Sequence, residues 1–245
     1  MSDQIDKPAT GTKPKRPVGR PRADGRAQLS REEVLLTAAR LIARNGFAGT
    51  SIRMIAGALD AAPASIFNLF ASKDDLLNEL IEVAATPSLA FYEKLRQLPL
   101  APAVALYKSV FEETLVVASA PWEIPALFYL PELAKPGYER AQAVRAQMVA
   151  HYRTLIEQGQ AEGSLIGLPA ALAAEQLFQL TETSILAGAD ARALPPAERA
   201  STTARLCMRA LLAEPAQLET VEAEATAVDL RIALPGHLTG DAAKR

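Results

Sequence analysis

The amino-acid sequence predicts an all-α fold. From Ser30 to Glu82, apolar residues recur every three or four positions, which is the spacing of one buried helix face. From about residue 90 to residue 213 the helical spacing continues, without the alternation typical of a half-buried strand. Clusters of proline and glycine mark the boundaries. From the fourth helix onward, helices are predicted at 74–97, 101–119, 122–133, 137–161, 169–188 and 196–213, the first with a possible bend at Pro87.

The first two helices are predicted from their buried faces and their ends. Asn45-Gly46 ends the first helix, because both residues tolerate the left-handed conformation of a helix C-terminus. Either Thr50 or Ser51 supplies the hydroxyl that caps the second helix. The buried positions of the two helices are Leu35, Ala38, Ala39, Ile42, Ile52, Ile55, Ala56 and Leu59.

A short turn at residues 59–62 separates the second helix from the third, which gives a helix-turn-helix at about 51–70. Pro63 opens the third helix, since the first helical N–H has no partner anyway, and the helix is predicted to end at Phe70. Its outer face is polar, as in a helix that lies in the major groove of DNA. Judged by periodicity alone, an ordinary helical hairpin in a bundle is the stronger alternative. Ser72 then caps the fourth helix.

A basic arm precedes these helices. Residues 1–31 hold eight cations and three acids, whereas the whole chain has a formal net charge of −2. Such an arm is an electrostatic footprint for a polyanion and cannot form a core, so we expect it to be disordered when free. Lys15, Arg16, Arg20 and Arg22 form a segment that resembles an AT-hook, with Val18 where that motif has arginine. We expect Arg20 to enter the minor groove of A·T-rich DNA. The alternative is a solvated basic tail.

The helix-turn-helix block contains a set of residues whose joint spacing is specific: Ala38-Ala39, Gly46-Phe47, Thr50-Ser51, Ile55-Ala56, Ile66-Phe67, Phe70, Ser72-Lys73 and Leu76. In these residues it resembles the DNA-binding domain of the TetR family of bacterial repressors. Four departures stand out in the turn and the third helix: Asp60 replaces glycine, Ala62 replaces a capping Ser or Thr, Pro63 replaces Lys or Arg, and Phe67 replaces tyrosine. The third helix therefore lacks a cation of its own.

The resemblance implies an N-terminal helix-turn-helix domain followed by a helical ligand-binding and dimerisation domain. It implies a homodimer that binds a palindromic operator in double-stranded DNA and is released by a small effector. The predicted segments are an arm at 1–28, a DNA-binding domain at 29–89, an effector-binding and dimerisation domain at 90–213, and a tail at 214–245 that is either disordered or packed on the body.

We expect DNA contacts from both the helix-turn-helix and the arm. Thr50 and Lys73 are predicted to bind phosphate, and Arg53 a phosphate or a base. Ser65 and Asn68 are predicted to contact base edges, since an amide pairs well with adenine. The full predicted set is Lys15, Arg16, Arg20, Arg22, Thr50, Ser51, Arg53, Ala64, Ser65, Phe67, Asn68 and Lys73.

Aromatic residues in the second region predict a mostly apolar pocket for an apolar or aromatic effector. For any one of them, core packing is the stronger alternative. The predicted polar anchors are Glu112, Arg145, His151 and Thr183. The other predicted pocket residues are Tyr107, Phe111, Trp122, Phe128, Tyr129, Tyr152 and Phe178. The resemblance implies that the last two helices, rich in Ala and Leu, form the dimer interface.

Several classes of function lack support in the sequence. Two histidines, His151 and His237, are too few and too far apart for a metal site, and neither a phosphate loop nor a nucleophile motif is present, so no cofactor and no enzyme activity are expected. The single cysteine, Cys207, and the absence of an apolar leader or membrane span predict a cytoplasmic protein. Two alternatives remain: an architectural DNA-binding protein that relies on its arm, and an enzyme built on the aromatic pocket.

Overall fold

A capping box and a glycine kink define the first helix of the computed structural model, which describes residues 29–185 and 189–233. Helix α1 (Arg31–Gly49) begins where the Ser30 hydroxyl accepts from the Glu33 amide and the Glu33 carboxylate accepts from the Ser30 amide. Gly46 lies at φ 73°, in the left-handed region, and a further turn follows it to Gly49. The helix end predicted at Asn45-Gly46 is therefore a kink inside the helix.

The helix-turn-helix follows, with α2 (Ile52–Ala58) and α3 (Pro63–Phe67). Ser51 caps α2 by accepting from the Met54 amide at 3.2 Å. Asp60 lies at φ 47° in the turn, so this aspartate takes the left-handed conformation for which glycine is the usual residue. Helix α3 is three residues shorter than predicted, because the Leu69 amide bonds three residues back to the Ile66 carbonyl and tightens the last turn.

Helix α4 (Lys73–Leu95) extends from the first domain into the second and continues through Pro87. The Ser72 hydroxyl caps it by accepting from the Asp75 amide at 2.9 Å. Buried residues near the start of α4, such as Leu76, and near its end, Phe91 and Tyr92, belong to one continuous hydrophobic core. One helix thus links the packing of the helix-turn-helix to that of the second domain.

The second domain is arranged around α5 (Pro102–Ser119), which packs against α4, α7 (Glu139–Glu162) and α8 (Ala170–Glu182) on one side. On its other side lie α10 (Pro196–Leu211) and α11 (Leu218–Ala227). Nearly every residue from Ala103 to Thr114 is buried, including Lys108, Glu112 and Glu113, because other helices surround α5. The short α9 (Ala189–Ala193) precedes α10.

Two predicted helices are shorter and more broken than expected. In place of one helix at 122–133, the chain forms α6 (Glu123–Ala126) and two 3-10 turns, Leu127–Tyr129 and Pro131–Ala134, because Pro131 has no N–H with which to continue a helix. The helix predicted at 169–188 ends at Glu182 and is followed by a 3-10 turn, Thr183–Ile185.

The beginning of the tail packs on the body of the protein. Leu218, Val221 and Ala225 of α11 are buried, and so is Ile232 in the extended segment that follows. Hence residues 218–232 belong to the core of the second domain. None of the helices within 29–185 and 189–233 is both long enough and apolar enough to span a membrane.

Polar contacts tie the start of α7 to the start of α4. The Asn78 amide donates to the Gly137 carbonyl at 2.9 Å, and its oxygen accepts from the Ala141 amide at 3.3 Å. The Tyr138 hydroxyl donates to Asp74, and Arg140 pairs with Glu82 and with Asp75. A second contact with the first domain comes from α6, which packs on α1.

Candidate functional site

The outer surface of the helix-turn-helix is exposed and mixed in character. Ser51 and Arg53 are exposed at the start of α2, while Ala64 and Asn68 are exposed along α3. Ser65 is partly buried. Phe67 is 53% exposed and Met54 41%, so two large apolar side chains face solvent on this surface. The predicted contact residues of α2 and α3 therefore lie on elements joined by a single short turn.

Thr50 and Lys73 are engaged inside the domain. The Thr50 hydroxyl donates to the Gly46 carbonyl at 2.9 Å, and the side chain is buried. The Lys73 ammonium donates to the carbonyls of Phe47 and Thr50 at 2.7 and 2.8 Å and lies 4.0 Å from the centre of the Phe47 ring. These contacts satisfy carbonyls at the end of α1. Both residues therefore have a structural role, and their phosphate contacts stay predictions.

The remaining predicted DNA contacts belong to the arm. Lys15, Arg16, Arg20 and Arg22 lie outside the described residues.

A cavity lies in the second domain between α4, α5, α6, α7 and α8. Together with the open solvent at its mouth, it contains about 570 Å³ of space free of protein atoms. Four polar residues contribute to its wall: Ser88, Glu113, Thr181 and Glu182. The wall is otherwise apolar and includes Val116, Val117, Ile124, Phe128, Met148 and Phe178.

Glu113 is the most deeply buried acid of this cavity, at 3% exposure. Its Oε1 accepts a 2.6 Å hydrogen bond from the Tyr92 hydroxyl, and Ser88 also bonds to the carboxyl group. Burial raises the pKa of Glu113 to about 7, against the opposing effect of these two hydrogen bonds. The nearby Glu182 adds to the rise in this pKa.

Glu182 is held in a similar way at another part of the wall. The Tyr129 hydroxyl bonds to its carboxyl group, and burial raises the pKa of Glu182 to about 7, with Arg145 opposing the rise. Arg145 makes a two-point ion pair with Glu175, at 2.9 and 3.3 Å. Two tyrosine-bonded glutamates with raised pKa values thus line one apolar cavity.

The structure brings only some of the predicted pocket residues together. Phe128 and Phe178 line the cavity, whereas Tyr129 and Arg145 line a neighbouring groove that shares Phe128 with it. Tyr152 is buried in the core behind Phe178, with ring centres 6.3 Å apart.

Four predicted pocket residues lie elsewhere. Tyr107 and Phe111 stack on each other at 6.5 Å, and the Tyr107 hydroxyl donates to Glu222 of α11, on the other side of α5. Trp122 is 52% exposed and lies outside the cavity wall. Thr183 is exposed and donates to the Leu180 carbonyl, which closes the end of α8. The single-helix periodicity could not tell these faces apart.

His151 is a core residue rather than a pocket anchor. Its ring stacks on Tyr92 at 3.8 Å, and its Nε2 lies 2.8 Å from the Ser109 hydroxyl oxygen. Since that hydroxyl donates to the Ala105 carbonyl, the His151 Nε2–H is the donor to Ser109. Burial lowers the pKa of His151 to about 3, so the imidazole is neutral.

Glu112 faces away from the cavity and is not a pocket anchor. It pairs with Lys108 at 3.0 Å, and its other oxygen accepts from the Ile232 amide at 3.2 Å. The sequence analysis missed Glu113 and Glu182 as cavity residues. A usable signal for Glu113 was present, because Val116 and Val117 follow it at three and four residues and share its helix face.

Comparison with known proteins identifies the first domain. Residues 34–80 match the family described as bacterial regulatory proteins, tetR family. The chain is similar over 86% of its length to all of AmtR of Mycobacterium smegmatis, at 26% identity and a TM-score of 0.63. Residues 34–80 thus form a DNA-binding domain of the tetR family, and the chain as a whole is similar to TetR-family transcriptional regulators. None of the curated proteins matches its sequence.

Two further solved structures share the TetR fold. A regulatory protein in the tetR family from Rhodococcus RHA1 is 18% identical, with 75% of this chain and 98% of that chain covered and a TM-score of 0.68. AibR, solved with isovaleryl coenzyme A and operator DNA, is 19% identical, with 72% and 97% covered and a TM-score of 0.62. The all-α fold predicted from the sequence is confirmed for the described residues.

Proposed function

We propose that this TetR-family regulator is a homodimeric repressor that binds a palindromic operator and leaves it when a small effector fills the cavity of the second domain. The observation that carries the proposal is the position of α6. Ile124 and Pro125 of α6 line the cavity, and α6 also packs on α1 of the DNA-binding domain. A ligand that moves this wall therefore acts on the element that supports the helix-turn-helix.

The contacts between the domains support this coupling. Arg44 of α1 pairs with Glu123 of α6 at 3.7 Å. Helix α4 carries Ala84, Ala85 and Ser88 in the cavity wall, and its first turns belong to the core of the DNA-binding domain. In a dimer, a small rotation of α4 or α6 changes the distance between the two recognition helices, which must match one DNA turn, ~34–36 Å.

On DNA, we propose that Ser51 and Arg53 bind phosphate and that Ser65 and Asn68 contact base edges. Ala64 and Phe67 supply apolar contacts, for which the thymine methyl group is the partner in the major groove. The basic arm adds phosphate and minor-groove contacts, because α3 has no cation. As a DNA-binding transcriptional regulator, the protein would act in the bacterial cytoplasm.

The thymine contact can be tested with DNA that lacks the methyl group. With an operator obtained by selection from random duplex DNA, replacing thymine by deoxyuridine should weaken the wild-type protein about fivefold to tenfold at the contacted position. Phe67→Ala should bind the normal operator more weakly than the wild type does, and its affinity should not change when thymine is replaced by deoxyuridine. Equal sensitivity of wild type and Phe67→Ala would show that another residue contacts the methyl group.

Dimerisation is supported by the exposed faces of α8 and α10. Leu172 is 58% exposed on α8 and Leu206 60% exposed on α10, and such apolar surface is typical of an interface. We expect Leu172→Glu combined with Leu206→Glu to give monomers in sedimentation and to weaken operator binding at least about tenfold, since each half-site then binds alone. The control is Leu98→Glu, at a leucine that is exposed after α4.

The second candidate function is an architectural DNA-binding protein that relies on its arm. The excess of cations in residues 1–31 favours it. Deleting residues 1–28 separates the two. The repressor should keep its preference for the selected operator over random duplex, with lower affinity and a shallower dependence on salt. Loss of nearly all binding after the deletion would favour the architectural protein.

A further inference from the structure

The polar groups of the cavity indicate the charge of its ligand. Among the described residues of its wall there is no lysine or arginine, yet two glutamates, Glu113 and Glu182, belong to it. We propose that the effector is an apolar cation: a hydrophobic body with an amine or quaternary ammonium group that pairs with these two carboxylates. This inference rests on the proposed function, because it assigns a ligand class to the same effector cavity.

The carboxyl groups have hydrogen-bond donors but no ion-pair partner. The Tyr92 hydroxyl bonds to Glu113 at 2.6 Å, and the Tyr129 hydroxyl bonds to Glu182. A neutral hydroxyl orients a carboxylate but does not compensate its charge in an apolar site. A cationic ligand would supply the missing charge.

The nearest cation to Glu182 is already committed. Arg145 lines the neighbouring groove, where both of its terminal nitrogens bond to Glu175, and its guanidinium lies 5.3 Å from the centre of the Phe178 ring. Phe178 is itself part of the cavity wall, so Arg145 approaches the cavity only through a wall residue and is not part of the wall. On the other side of α5, Lys108 is bonded to Glu112 and is equally unavailable.

The wall of the cavity suits a small organic cation. Phe128 and Phe178 offer ring faces that attract a quaternary ammonium group, and the aliphatic wall formed by Val116, Val117 and Ile124 suits a hydrocarbon chain. An anionic ligand would meet two carboxyl groups and no cation, so it should be rejected.

Binding of such a ligand should depend on pH through the two glutamates. The titratable and charged groups that act on Glu113 are Tyr92 of α4, its helix neighbour Glu112, Tyr152 of α7 and Glu182 itself. Those that act on Glu182 are Tyr129 of the 3-10 turn, Arg145 of α7 and Glu175 of α8, and His151 of α7 stacks on Tyr92. Burial raises the pKa of all three tyrosines and lowers the pKa of His151 to about 3. Glu113 and Glu182, with pKa values of about 7, therefore account for the change of binding affinity with pH near neutrality.

The test is isothermal titration calorimetry of the full-length protein with three probes that share one chain. These are decyltrimethylammonium, 1-decanol and decanoate, all used below micelle-forming concentrations. At pH 8 we expect the cation to bind at least about tenfold more tightly than the alcohol, and decanoate to bind most weakly. From pH 6 to pH 8 the affinity for the cation should rise about tenfold, with release of protons, while the affinity for decanol should change little.

Matched variants locate the effect. Glu113→Gln and Glu182→Gln should each remove most of the preference for the cation and keep decanol binding, since glutamine preserves shape and hydrogen bonding. Glu157→Gln is the control, because Glu157 is exposed on α7 and pairs there with Arg153. It should behave as the wild type does with all three probes.

The outcomes separate this inference from the proposed function. Decanol or decanoate binding as tightly as the cation, or a preference for the cation that survives in both glutamine variants, would overturn the inference. Release of a selected operator by decanol alone would do the same while supporting an effector cavity. Failure of all three probes to bind also overturns the inference, whereas the repressor itself is tested independently by its operator.

Discussion

Two adjacent glutamates on α5 face opposite sides of the helix and meet different environments. Glu112 is paired with Lys108 at 3.0 Å and accepts a hydrogen bond from the Ile232 amide, on the side of α5 where α10 and α11 pack. Glu113 faces the cavity, where it is bonded by tyrosine and serine hydroxyls. Both side chains are almost fully buried, yet the first has a positive partner and the second does not.

The difference separates a structural carboxylate from one that is available to a ligand. A buried ion pair whose remaining lone pairs also accept hydrogen bonds needs no further partner. Removing either member leaves an uncompensated charge. A buried carboxyl without a cation stays protonated at a higher pH, which is why the pKa of Glu113 is raised to about 7. Burial by itself therefore does not identify a binding residue, and the nature of the partner decides.

The largest effect on the free energy of unfolding is expected on the side of α5 that carries Glu112. Lys108→Met should lower the free energy of unfolding by about 3–5 kcal/mol at pH 8, because Glu112 then remains buried without its cation. Urea unfolding followed by circular dichroism measures the loss. Adding Glu112→Leu to this variant should recover most of the stability, since an apolar pair needs no compensation. A loss below about 1 kcal/mol would mean that the pair is hydrated and that the two sides of α5 do not differ as described.

On the cavity side of α5, removing the charged group is expected to raise the stability rather than lower it. The pKa of Glu113 is raised from 4.5 in the unfolded chain to about 7, so this residue costs the wild type about 3 kcal/mol of stability as pH rises through that interval. Glu113→Gln cannot ionise and should therefore be more stable than wild type at pH 8, but not at pH 4. Urea midpoints measured between pH 4 and pH 8 check this, with Glu157→Gln as control. Parallel curves for wild type and Glu113→Gln would contradict the raised pKa.

The smallest effect concerns the hydroxyl that orients Glu113. Tyr92→Phe should lower the free energy of unfolding by about 2 kcal/mol at pH 8 and less at pH 5, because a hydrogen bond to an ionised carboxylate is stronger than one to a neutral acid. Tyr107→Phe is the matched control, since its hydroxyl donates to Glu222 on the other side of α5. An equal loss at both pH values for Tyr92→Phe would show that Glu113 does not ionise in that interval.

Sequence reasoning succeeded where the signals are local. Ser51 and Ser72 cap the helices that the sequence assigned to them, and Pro63 opens α3. Asp60, which the sequence analysis noted only as a departure from glycine, takes the left-handed conformation in the turn. These features depend on a few neighbouring residues, so the sequence contains the information that determines them.

The ligand site could not be obtained in the same way. Helix α5 is buried on all sides, so periodicity could not distinguish the face of Glu112 from the face of Glu113. The partners that decide between them, Lys108 and Tyr92, lie 4 and 21 residues away, respectively. Lys73 illustrates the same limit, since its ammonium bonds to carbonyls 23 and 26 residues back along the chain.

The most direct test of the account is the selection of bound sequences from random duplex DNA with the full-length protein at fixed salt. The account predicts a palindromic motif with two half-sites about one helical turn apart, as two recognition helices of a dimer require. An A·T-rich pool without symmetry would contradict it and would leave the basic arm as the element that binds DNA.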